Sequence, residues 1–158
     1  MQPQQTNLLP LLLVIVLAVL LLRQPGPDPS PIPPRPTPIP DSPIRRIVRD
    51  LVQRLIPGST RVAEARSVAR VYRDLAAEIE TLRDPLSPSK LKRPADPIRE
   101  ADRRIRTTLG ARWEAWIPVH DQLADALAEL DQRGEIGRTI YAVGDVFHAI
   151  AVGLEEVR

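Results

Sequence analysis

No cysteine occurs in the 158 residues, which excludes disulfides, thiolate metal sites, thiol catalysis and lipid attachment through sulfur. Aromatic side chains are almost as scarce. Two Trp, two Tyr and one Phe make up 3% of the chain, so a core has to be built from Leu, Ile, Val and Ala. Histidine appears only as His120 and His148, in neither an HExxH nor an HxxxH spacing. Zinc requires three or four convergent ligands, so two helix histidines with ordinary hydrogen bonds are the expectation, even though a hairpin could bring them together with Asp121 and Asp145 nearby in sequence. There is no GxSxG segment and no glycine-rich loop to cradle a phosphate. No catalytic activity, cofactor or metal is therefore expected; an enzyme with an unrecognised site stays as an alternative.

Proline, by contrast, is abundant and clustered. Ten of the 18 prolines fall between positions 25 and 43, at almost every second residue. Each ring fixes φ and removes a backbone donor, and each pushes its preceding residue towards an extended conformation. The expected product is a polyproline II stalk over residues 24–43, reaching about 60 Å at ~3.1 Å per residue. Within it Pro31, Pro33, Pro34, Arg35 and Pro36 form the stretch most like a ligand for an aromatic groove, but the regular alternation fits a spacer better.

Ahead of the stalk lies an apolar run from Leu8 to Leu22, broken only by Pro10 and ended by Arg23. Eleven of the residues from 11 to 22 are Leu, Ile or Val. At membrane depth they favour insertion by about 3–7 kcal/mol in sum. The run is shorter than the roughly 20 residues that span a bilayer untilted, yet it lacks the polar face of a soluble core helix. Nothing basic precedes it, and no small-residue cleavage site follows it. Residues 1–23 are therefore expected to be a retained single-pass anchor, with the lipid bilayer as the partner of this segment. Arg23 and Arg35 lean towards a cytoplasmic C-terminal domain, but Asp28 offsets part of that bias and the side stays open.

From residue 44 to 158 the hydrophobic period becomes helical. Ile44, Ile47, Val48, Leu51, Val52, Leu55 and Ile56 recur at the spacing of one helix face, behind Asp41 or Ser42 as cap. A second helix is expected over 60–82, and a third over 97–109 with Asp96 as cap and Gly110 as stop. Trp113, Trp116 and Ile117 keep the helical spacing up to an interruption at Pro118; residues 119–133 and 138–157 then form an αα-hairpin around the turn at 134–137. No period-2 run occurs. The expected fold class is all-α: an N-terminal membrane helix, a proline-rich stalk, then a small bundle of four to five helices.

Charge is unevenly placed. Residues 44–110 hold 16 Lys and Arg against 9 Asp and Glu, and residues 111–158 hold 4 against 9. Such asymmetry fits either an anionic partner for the first half or two halves that pack in a complementary way. The first helix is basic and amphipathic, suited to a core or to an anionic membrane surface. Nucleic acid is not expected as a partner, because the basic half offers little aromatic surface for stacking. Asp121, Asp125 and Glu129, four residues apart, read as a solvated helix face. The best anchors for a protein partner are Trp113, Trp116 and Tyr141, although tryptophans in so aromatic-poor a chain are also what a core would use. The expected function is that of a membrane-tethered interaction or scaffold module with a protein partner, self-association being left open. An envelope-disrupting or lysis-related factor is the alternative with the same architecture.

Overall fold

The computed structural model describes residues 42–87 and 89–158. The expected anchor and all but the end of the expected stalk lie outside the described residues. What is described is all-α, with no strand. Helix α1 spans Pro43–Leu55, α2 Arg61–Thr81, α3 Ala95–Leu109, α4 Trp113–Gln132 and α5 Ile140–Glu155, with a 3-10 turn, Gly110–Arg112, between α3 and α4.

Helix α1 starts with Pro43 in its first turn, where a missing amide costs nothing, and buries Ile44, Val48, Leu51 and Val52. Its apolar stripe is thus used in the core rather than left for a membrane surface. Pro57 and Gly58, the latter at φ +98°, turn the chain into α2. That helix buries an alanine-rich stripe of Ala65, Val68, Ala69, Tyr72, Leu75, Ala76 and Ile79. Helix α3 contributes Ile98, Ala101, Ile105 and Leu109, and α4 contributes Trp116, Val119, Leu123, Leu127 and Leu130.

Helix α5 is the centre of the fold. It lies chiefly on α2 and secondarily on α1, while α1 also packs on α4 and α2 on α3. Close approach is possible because α5 carries Gly144, Ala151 and Gly153 among its buried residues. A methyl group on Gly153 would meet Val48 and the backbone carbonyl of Arg45, and one on Gly144 would sit 3.2 Å from Cγ2 of Ile79. Among the described residues the buried core holds no polar or charged side chain.

Local details depart from the sequence reading at several places: Ser42 makes no side-chain cap bond to α1, and α3 begins at Ala95 rather than Pro97. The helix at Trp113 continues through Pro118; both Pro118 and Glu114, whose carbonyl loses its donor, are exposed, so the lost bond falls on the solvent side of the helix. Asp96 does not cap α3. Its carboxylate instead accepts hydrogen bonds from the amides of Lys92 (3.1 Å) and Arg93 (2.8 Å), tying down the loop before the helix. Helix α5 begins at Ile140, two residues later than its pattern suggests, because the Thr139 hydroxyl accepts from the Ala142 amide (3.1 Å) and makes Thr139 the N-cap. Finally, α4 and α5 are consecutive but do not close on each other as a hairpin: α5 is drawn onto α2 and α1, and a cavity remains on its α4 side.

Candidate interaction groove

That cavity has a volume of about 60 Å³ and opens between α4 and α5. Its walls are apolar. Leu123, Leu127 and Ala128 come from α4, Val143, Val146, Phe147 and Ile150 from α5, and Ile98 and Ala101 from α3. Tyr72 of α2 forms the floor; it is 7% exposed and meets Phe147 edge-on at a centroid distance of 5.1 Å. Burial drives the Tyr72 hydroxyl well above the ordinary phenol range, helped by the nearby Asp102, so it stays protonated at every working pH.

Polar groups stand at the rim: Asp102, His120, Asp131 and Arg138. Burial holds His120 below the usual imidazole value, against the pull of Asp102 and Asp121 and with a smaller push from Arg106. The ring is therefore neutral at neutral pH. Asp102 is occupied by Arg106 at 3.0 Å. Asp121, half-buried on the same helix, is pushed above the usual carboxylate range by burial, with His120 opposing and Asp125 reinforcing the shift.

The three aromatic residues singled out in the sequence are not brought together. Trp116 is 4% exposed, and its indole N–H donates to Glu64 at 2.8 Å, so this ring belongs to the core. Burial raises the Glu64 carboxyl, but hydrogen bonds from Trp116, Thr60 and Arg112 outweigh it and hold the group below its ordinary value. Trp113 is half-buried beside the groove: it meets His120 edge-on at 5.5 Å, with the Arg106 guanidinium 4.9 Å from its ring centre. Tyr141 is half-buried elsewhere on α5, under the Arg83 guanidinium at 4.5 Å.

Nor do the two histidines meet. His148 is exposed and lies near Asp145, whose carboxyl is pushed up by burial and by Glu80. Among the described residues no group of three or more His, Asp or Glu is placed to hold a metal ion. No described helix is long and apolar enough to cross a membrane.

Charge between the two halves is partly complementary. Arg73 holds Glu155 at 2.6 Å, and Arg45 and Arg49 of α1 both face Glu156, so the acidic end of α5 is neutralised by the basic half. The carboxylates of α4 are treated differently. Glu129 pairs with Arg133 at 3.4 Å, while Asp121, Asp125 and Asp131 form no ion pair among the described residues.

Sequence reasoning places Leu123, Leu127, Val143, Phe147 and Ile150 on buried faces, as they are. It gives no sign of the groove, because a gap between two helices depends on where their axes lie and not on which faces are apolar. The chain matches no known protein family, no curated protein and no solved structure with which it was compared.

Proposed function

We propose that the chain is a membrane-tethered helical interaction module: a scaffold, adaptor or assembly component that presents a binding surface at a distance from the bilayer. The observation that carries this reading is the order of three chemically distinct segments. An apolar run from Leu8 to Leu22 is followed by ten prolines over residues 25–43, and then by the helical bundle that begins at Pro43. The first prefers hydrocarbon, the second resists collapse onto either neighbour, and the third has an apolar core of its own. A role in binding rather than catalysis follows from the lack of any catalytic motif in the sequence and is supported by the apolar groove with a charged rim between α4 and α5.

The test is fractionation of the full chain. It is expected to stay with membranes through an alkaline carbonate wash and to keep its N-terminus intact. Release by the wash, or a mature form beginning near Gln24, would remove the tether from this reading. Arrest of bacterial growth on expression, with loss of envelope integrity, would instead favour the envelope-disrupting alternative.

A further inference from the structure

We infer that the groove between α4 and α5 receives a single aliphatic side chain from a partner helix that carries lysine or arginine beside it. This rests on the reading of the chain as an interaction module and names the surface and the partner's chemistry.

Size decides first between a small molecule and a side chain. A dry cavity of about 150 Å³ is what holds benzene, and pockets for drug-sized ligands run to roughly 300–1,000 Å³. At about 60 Å³ the space here suits the branched tip of one leucine or the end of one methionine. The opening is a slot between two helices, so the natural donor is a third helix laid along them, with its knob in the hole they form. Half-buried Ala128 at the α4 lip lets another backbone come close.

Charge then decides the partner's sign. Of the basic half, Arg45, Arg49 and Arg73 are spent on Glu155 and Glu156 at the end of α5, while Arg83, Arg103, Arg104 and Arg106 pair with acids of their own half. Asp131 at the rim and Asp121 and Asp125 on the groove-bearing helix are left without a cation among the described residues. Opposed to them at the rim stands one cation, Arg138, beyond the pair that Arg106 makes with Asp102. Asp131 at the rim, with Asp121 and Asp125 on the outer surface of the same helix, leaves α4 with surplus negative charge, which attracts a basic helix and repels an acidic one. Burial, and after it Asp125, push the Asp121 carboxyl above its ordinary range, and a cation placed beside it would offset the repulsion from Asp125.

The experiment uses the full chain in a non-ionic detergent with two synthetic amphipathic peptides, each about five helical turns long. Both carry leucine on one face and a photo-crosslinking group at the central apolar position. One has lysine on its polar face, the other glutamate. The lysine peptide is expected to crosslink to the segments containing Leu127 and Phe147, to bind at least about tenfold tighter than the glutamate peptide, and to weaken as salt is raised. Ala128→Arg, which covers the hole from a half-buried position, should lower its affinity about tenfold or more without moving the melting temperature. Asp121→Lys with Asp125→Lys, which leaves the apolar walls untouched, should reverse the preference between the peptides. Equal binding of the two peptides, crosslinks outside α4 and α5, or indifference to both sets of substitutions would overturn the proposal. So would a dimer of the chain that Ala128→Arg dissociates, since the occupant would then be a second copy. Failure of both peptides with a chain that resists the carbonate wash removes the groove and leaves the tethered module. Binding of the lysine peptide by a chain that washes free removes the tether and leaves the groove.

Discussion

Replacing Gly153 by alanine is the sharpest probe of how α5 is seated. Helix propensity alone favours the change by about 1 kcal/mol. The packing opposes it. A Cβ at this position would overlap Cγ1 of Val48 and the carbonyl oxygen of Arg45, with the carbonyl carbon at 3.1 Å, inside the ~3.5–4.0 Å at which carbons normally touch. Two of these three atoms are backbone, so no rotamer change can clear them. Helix α1 would have to withdraw, and it carries Val48 (1% exposed), Val52 (0%) and, just past its end, Ile56 (0%). Overpacking of this kind costs about 1–3 kcal/mol and occasionally more. With no side-chain escape the upper part of that range applies, and a net loss of about 2 kcal/mol remains after the propensity gain. For a bundle of this size that corresponds to a fall of about 8 °C in melting temperature. Gly144→Ala supplies the internal comparison. There the nearest atom is the Cγ2 methyl of Ile79 at 3.2 Å, a side-chain group that can yield a few tenths of an ångström. The gain and the cost should cancel to within about 1 kcal/mol. Thermal unfolding followed by far-ultraviolet circular dichroism measures both. A Gly153→Ala protein as stable as the parent, or less affected than Gly144→Ala, would refute the close seating of α5 on α1.

Three further outcomes are expected. Leu127→Ala should cost about 2 kcal/mol, the low end for a buried leucine, because the residue already borders open space; a loss near 5 kcal/mol in urea unfolding would mean that the groove is filled. Thr139→Ala removes the side-chain acceptor for the Ala142 amide and should destabilise by about 1 kcal/mol, with Thr139→Asn close to neutral; equal losses from both would show that the cap is unimportant. Arg103, and after it Arg104, hold the Glu100 carboxyl at about 2, against 4.5 when free. This stabilisation is complete above pH 4.5 and fades as pH falls towards about 2, since the unfolded chain takes up the proton first. Glu100→Gln should therefore lower stability at neutral pH and flatten the decline over that window, and an unchanged acid profile would count against the assignment.

The helices themselves were legible in the sequence because each shows an uninterrupted apolar stripe, as in Val48, Leu51 and Val52 or Phe147, Ile150 and Leu154, and because prolines and glycines mark their ends. Local rules misled where a competing interaction was stronger or the expected penalty was absent. Asp96 looked like a cap but found two loop amides; Pro118 looked like a break but sits on an exposed turn. The pairing of helices was less legible. Nearness in sequence suggests that α4 and α5 form a hairpin, yet the bare surfaces of Gly144 and Gly153 offer α5 closer contact with α2 and α1, and the groove follows from that choice. The assignment of Trp116 could not be read from its spacing either. It depends on Glu64, 52 positions away, which accepts the indole N–H.

The central place of α5 also bears on the order in which the fold can assemble. Bundles built from neighbouring helices fold quickly because their contacts are local. Here the helix that packs on both α1 and α2 is joined to α1 by contacts such as that between Arg45 and Glu156, 111 positions apart. Without α5, Val48, Tyr72 and Ile79 lack the surface they pack against at Gly153, Phe147 and Gly144. Closing a loop of that length carries an entropy cost that only the full apolar face of α5 repays. Assembly then has the character of a cooperative step in which α5 gives α1 and α2 their places.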